Sequence, residues 1–268
     1  MSSISFFPQE IIDVIIDLLR DDKMALKTCC LLSKRWVPYA QKHLFTSRTI
    51  TFKSFKGAAF WRERFPDPAE PPACYISTLR FFCTESITSE HFSWIQSFPA
   101  VIKLHLRTKC YARNHTHGSN NLAALSNLPK AKSLEIKWDS FTAQEIFDFI
   151  CSFPLLEDLN LWRDPFSQDG GIGAVSRLSA LPPLTGTLAL SRTGDFMRQM
   201  AELPIDLRFR KIETSLCESR VITKLVKRSS ATLECININF AGVSGKSCTF
   251  APTKASVSNV ISVYNRFG

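Results

Sequence analysis

Short apolar–x–apolar triplets recur along most of the chain. Their apolar pairs are Ile50 and Phe52, Leu79 and Phe81, Leu104 and Leu106, Leu134 and Ile136, Leu159 and Leu161, Leu188 and Leu190, and Ile236 and Ile238. A less regular copy lies between Leu207 and Ile212. Side chains alternate across a β-strand, so each pair shares one face and the residue between points the other way. Taking Ile212 for the irregular copy, the first apolar positions fall at 50, 79, 104, 134, 159, 188, 212 and 236. The steps between them are 29, 25, 30, 25, 29, 24 and 24 residues.

The segments between the triplets predict helices, over 54–65, 88–98, 121–128, 142–153, 173–181, 195–203 and 218–229. In 142–153, Ile146, Phe149, Ile150 and Phe153 keep helical spacing, and Thr142 precedes Glu145 by three, as in a capping box. Five of the segments end in an apolar residue followed by proline, at Pro99, Pro129, Pro154, Pro182 and Pro204. Proline cannot continue a helix and biases the residue before it toward extended structure. The repeating order is therefore strand, loop, helix, proline, strand. One such unit cannot bury its apolar faces alone, and stacking on its neighbours buries them.

This pattern resembles the leucine-rich repeats, whose period is 20–29 residues. The resemblance implies an irregular solenoid over 46–240, with parallel strands on one side and helices on the other. The asparagine ladder usual in that family is mostly missing, and the repeat lengths are uneven.

Residues 1–45 have a different pattern. Pro8 suits a first helical turn and Glu10 the positive end of a helix dipole. In the run 11–19, IIDVIIDLL, the apolar positions cover an arc of about 200°, twice the stripe of a one-sided surface helix. Asp13 and Asp17 mark the solvated remainder. One apolar side can meet Leu26, Leu31, Leu32 and Trp36, and the other needs the repeats or another protein.

The run Phe7, Pro8, Gln9, Glu10, Ile11, Ile12, followed by Ile15, Leu19, Leu26, Leu32 and Trp36, resembles the F-box. It departs from that family at Phe7, where leucine is usual, and at Pro38, which falls early in the third helix. The combined expectation is an α/β protein: a three-helix F-box over 1–45, the leucine-rich-repeat solenoid over 46–240, and a divergent, poorly ordered C-terminal tail over 241–268. The F-box resemblance implies an adaptor that links a Skp-type protein, and through it a cullin, to a protein substrate held by the repeats. Carried over position by position, Phe7, Pro8, Ile11, Ile12 and Ile15 would face the Skp-type adaptor, with Leu32 and Trp36 touching it or packing beneath.

The alternation along the strands marks a second candidate surface. With Leu104 and Leu106 inward, Lys103, His105 and Arg107 point outward. The same parity exposes Arg80 and Phe82, Glu135 and Lys137, and Asp158, Asn160 and Trp162. Arg80, Phe82, Lys103, His105, Arg107, Lys137 and Trp162 are the expected substrate contacts, with Trp162 the anchor, because aromatic side chains are enriched among interface hot spots.

Composition adds little to this picture. The 268 residues carry 33 Lys and Arg against 24 Asp and Glu, a net charge of +9. Basic charge permits an acidic partner, including nucleic acid, but no nucleic-acid motif or interleaved aromatic stripe accompanies it. The nine cysteines have no C-x-x-C pair, and no basic leader precedes the first apolar run, so an intracellular chain, cytoplasmic or nuclear, with reduced thiols is expected. No apolar run approaches the ~18 residues of a membrane span. His115 and His117 sit in a polar stretch without a third ligand, and Gly170, Gly171 and Gly173 lack a dinucleotide fingerprint. Neither a metal, a cofactor nor an enzymatic reaction is expected. Besides the ligase adaptor, two readings remain: a repeat scaffold that the N-terminal helices merely cap, and, least favoured, a nucleic-acid binder.

Overall fold

The computed structural model describes residues 7–46, 48–83, 94–108, 128, 130–138, 143–163, 182–191, 193–202, 207–215, 219–239 and 247–250. The chain is α/β. Three short helices lead into a single sheet whose first eight strands are parallel.

The leading helices are α1 (Gln9–Leu18), α2 (Lys23–Leu32) and α3 (Val37–Thr46). Extended Pro8 precedes α1, and its carbonyl accepts the N–H groups of Ile11 and Ile12 at 3.1 and 3.3 Å. Asp22 caps α2 by accepting from Met24 and Ala25 at 2.9 and 3.0 Å. Helix α3 begins after Trp36. Pro38 therefore falls in its first turn, where a missing N–H costs no intrahelical bond. Ile12, Ile16, Leu26, Cys29, Ala40 and Leu44 form a small core, with Leu19, Cys30, Trp36 and Phe45 packed on it. Phe45 also packs on the main core, which joins the two.

The strands are β1 (Thr49–Phe52), β2 (Thr78–Cys83), β3 (Lys103–Thr108), β4 (Ser133–Trp138), β5 (Asp158–Arg163), β6 (Thr187–Ser191), β7 (Lys211–Ser215), β8 (Cys235–Asn239) and β9 (Ser247–Phe250). They lie in chain order across the sheet. Each predicted triplet is a strand centre, and all eight are in step. Ile50, Leu79, Leu104, Leu134, Leu159, Leu188, Ile212 and Ile236 pair side by side in one unbroken row. The uncertain copy is settled in favour of Ile212.

A second buried row runs just ahead of the strands: Ile76, Val101, Ala131, Leu156, Leu184, Phe209 and Leu233. The backbone explains its regularity. The N–H groups of Ile102 and Lys103 both donate to Ser77 O, at 3.0 Å each. Lys132 and Ser133 donate to Ile102 O, Glu157 and Asp158 to Lys132 O, Arg210 and Lys211 to Gly186 O, and Glu234 and Cys235 to Arg210 O, all within 3.3 Å. One carbonyl thus fastens two successive N–H groups of the next unit.

The β5–β6 joint departs from this. Gly186 N–H donates to Glu157 O at 3.0 Å, but Thr187 N–H goes to the Asp158 side chain, Oδ1, at 2.6 Å. This unit also holds an extra residue, since Leu184 lies four positions before Leu188 where the other units have three. Leu184 absorbs it with a left-handed backbone, φ 42°, and stays buried in the row.

Helices α4 (Phe55–Arg64), α5 (Ala143–Cys151), α6 (Gly194–Glu202) and α7 (Ser219–Ser229) lie between strands as expected. The last three send Ile146, Phe147, Phe149 and Ile150, then Phe196, Met197 and Met200, then Val221, Ile222, Leu225 and Val226 into the main core. Phe147 stacks on Phe196 with centroids 4.5 Å apart. The proposed cap Thr142 and the predicted helices at 121–128 and 173–181 lie outside the described residues, Leu128 excepted.

The sequence pattern assigned no element to 241–268, yet 247–250 form β9, antiparallel to β8. The connection of seven residues, 240–246, explains the reversal. A parallel return needs a crossover of about a dozen residues, whereas an antiparallel one needs only a short loop.

Candidate functional site

Two surfaces stand out. The first lies on the leading helices. Stepping α1 by about 100° per residue divides it into three sectors. Ile12, Ile16 and Leu19 face the small core. Asp17 is exposed as expected and Asp13 is half-buried, and both lie beside α3: Asp17 Oδ1 lies 2.8 Å from His43 Nε2, and Asp13 pushes the Tyr39 hydroxyl upward in pKa, by its charge first and by their hydrogen bond second. Gln9 Nε2 donates to Asp13 Oδ1 at 2.9 Å. The third sector, Ile11, Val14 and Leu18, is exposed and continues to exposed Phe7. On α2, Met24, Leu31 and Leu32 are exposed as well, Leu31 to 87% and Leu18 of α1 to 80%. Such a concentration of exposed large apolar side chains on some thirty residues is what interaction surfaces carry.

The expected adaptor contacts divide accordingly. Phe7, Pro8, Ile11 and Leu32 are exposed, and Ile15 is half-buried. Trp36 packs against the small core, the second of the two positions foreseen for it. Ile12 does not face outward: at 2% exposure it is a core residue, because α1 turns that side toward Leu26. Leu31 and Leu32, expected to meet α1 beside Leu26 and Trp36, are instead exposed, because α2 turns Leu26 and Cys29 to the small core. Val14 and Leu18 join the exposed sector without having been singled out in the sequence, and counting the α1 wheel from the residues that meet Leu26 finds them.

The second surface is the sheet face opposite the helices. Its rows read Thr51, Arg80, His105, Glu135, Asn160, Ala189, Glu213, Asn237, and then Phe82, Arg107, Lys137, Trp162, Ser191. The expected outward parity of Arg80, Phe82, Lys103, His105, Arg107, Lys137 and Trp162 is the observed one. Parallel in-step pairing therefore brings residues far apart in sequence into adjacent positions. His105 Nδ1 lies 2.8 Å from Glu135 Oε2. That bond holds the Glu135 carboxyl below its ordinary range against the opposing effect of burial, with the charges of His105 and Arg80 adding to it. Arg107 lays its guanidinium over the Phe82 ring, 5.7 Å from the centroid, a cation–π contact. Trp162 is 46% exposed and its indole N–H donates to Asn160 Oδ1. Further along, Lys211 and Asn237 both reach Glu213, at 2.5 and 3.2 Å.

No group of three or more His, Cys, Asp or Glu side chains among the described residues is placed to hold a metal. His115, His117, Gly170, Gly171 and Gly173 lie outside them. Cys29 is buried, and burial, then the neighbouring Cys29, raises the Cys30 thiol. A raised thiol pKa at Cys30 is the opposite of what activates a nucleophile. Among the described residues no helix is long and apolar enough to cross a membrane. No protein-family model, curated protein or solved structure matches the chain.

Proposed function

We propose that the protein is a noncatalytic substrate receptor of a Skp–cullin–F-box type ubiquitin ligase. In this reading α1–α3 are the F-box and dock a Skp-type adaptor. The strands and helices after them are leucine-rich-repeat units that hold a protein substrate. One observation carries it: α1–α3 complete their own core and still leave Phe7, Ile11, Val14, Leu18, Leu31 and Leu32 open to solvent. A helical cap serving only the repeats would have no use for that apolar sector.

The test is capture of a purified Skp-type adaptor. Leu18→Glu with Leu31→Glu places two charges in the proposed contact while touching no core residue. Capture should fall at least about tenfold, since truncating one interface anchor alone can cost about 2 kcal/mol. Phe7→Ala with Pro8→Ala should weaken it in the same direction. Undiminished capture by the charged variant, with the sheet still folded, returns the chain to the scaffold reading.

A further inference from the structure

The open sheet face is electrically divided. On β2–β4 it carries Arg80, Lys103, Arg107 and Lys137 against Glu135, a balance of 4 − 1 = +3. On β5–β8 it carries Lys211 against Asp158 and Glu213, 1 − 2 = −1. The single carboxylate of the basic half is already engaged by His105. Neighbouring strands lie about 4.8 Å apart, so these cations occupy a patch only ~10 Å wide. Trp162 stands on the next strand, beside Lys137.

Taking the sheet as the receptor surface of the reading above, we propose that the face of β2–β4 binds an acidic segment of a protein. About three or four extended residues span the patch at ~3.3 Å each. Carboxylates of the segment meet Arg80, Lys103, Arg107 and Lys137, and an apolar side chain following them packs on Trp162. The Arg107 guanidinium lies over the Phe82 ring, 5.7 Å from its centroid, and a guanidinium is the cation whose donors match a carboxylate in paired bonds. A nucleic-acid strand fits less well. Its phosphates continue past the patch onto a half of the sheet that is net negative, and Trp162 offers one stacking platform where a bound strand uses several.

The probe is a fluorescein-labelled synthetic peptide of alternating glutamate and aspartate ending in leucine and phenylalanine, read by anisotropy against the full chain. A control peptide carries the matching amides. The acidic peptide should bind and the amide peptide should not. Arg80→Gln with Arg107→Gln should weaken binding about tenfold or more. Trp162→Ala should weaken it about fivefold. Lys227→Glu makes the same charge change of −2 at an exposed position of α7, on the other side of the sheet, and should alter binding less than about twofold. Should the arginine variant not fold, Lys103→Gln with Lys137→Gln takes its place with the same expectation. Equal binding of the two peptides, or equal effects of the arginine variant and Lys227→Glu, overturns the proposal. So does a labelled single-stranded RNA that binds more tightly than the peptide and competes for it. Adaptor capture is measured separately on the same variants. If the unsubstituted chain captures the adaptor but does not distinguish the acidic from the amide peptide, this proposal alone fails; if it binds the acidic peptide but captures no adaptor, the adaptor reading alone fails.

Discussion

Gly186→Ala attacks the one joint of the sheet that is built differently. A Cβ at position 186 would overlap Oδ1 of Asp158 and would lie 3.0 Å from its Cγ and 3.1 Å from Glu157 O. Asp158 is not free to swing aside, because that same Oδ1 accepts the Thr187 N–H at 2.6 Å. Relief therefore means losing the bond or moving the backbone. Overpacking of this kind costs about 1–3 kcal/mol. A hydrogen bond to a charged group contributes about 1.5–3 kcal/mol. Removing glycine's freedom in the unfolded chain returns about 0.4–1 kcal/mol. The net expectation is a loss of about 3 kcal/mol, which lowers the melting temperature by roughly 6–12 °C for a chain of this size. Urea and thermal unfolding followed by circular dichroism measure it. A double-mutant cycle with Asp158→Ala separates the cause. Asp158→Ala removes both the overlapping atoms and the bond to Thr187, so in that background the alanine at 186 should lose most of its ~3 kcal/mol cost, leaving only the close approach to Glu157 O. If Gly186→Ala costs the same with and without Asp158, the overlap is not with that side chain and the account of the joint is wrong.

Phe147→Ala should destabilise by about 3–5 kcal/mol, because it empties a buried site stacked on Phe196; a loss under 1 kcal/mol by urea unfolding would contradict the packing described. Glu135, with its folded pKa depressed by His105, adds stability that is present above the ordinary carboxylate pKa and lost as pH falls through the lower folded value. His105→Ala should raise the Glu135 titration midpoint seen by carbon NMR, and an unmoved midpoint refutes the pairing. Burial, with Asp148 adding, pushes the Cys151 thiol up to about 11 from an ordinary 9.0. Its contribution is complete below the ordinary value and fades as pH rises toward 11, and at pH 8 Cys151 should resist iodoacetamide in the native protein and react once unfolded.

The strands were legible because each one buries the same two positions and stacking repeats that demand unit after unit. Even the ambiguous copy between Leu207 and Ile212 is fixed once Ile212 must stand beside Leu188 and Ile236. The outward residues followed from alternation alone. Strand β9 was not legible, since four residues of modest apolar content become a strand only by pairing with an edge that β8 supplies. The role of Ile12 was misread for a related reason. An apolar arc of 200° says that α1 has two partners but not which side each takes, and only the position of Leu26 decides. The Asp158–Thr187 bond was equally hidden, because it answers an extra residue near Leu184 whose effect is local and geometric.

The fastening of strands by a shared carbonyl, seen at the β2–β3, β3–β4, β4–β5, β6–β7 and β7–β8 joints, has a consequence for how such a chain can change over generations. The bond is made by main-chain atoms, so it asks almost nothing of side-chain identity at those positions. Connections between strands can then lengthen or shorten freely, as the spread of unit lengths from 24 to 30 residues records. The unit containing Leu184 shows the mechanism at its smallest scale: one inserted residue is absorbed by a single left-handed turn, and the row beyond it resumes in step. Outward residues, Asp158 at the β5–β6 joint excepted, are thereby released from that part of keeping the strands aligned. A lineage can exchange the cations of β2–β4 for other chemistry, one position at a time, without renegotiating the fold that presents them.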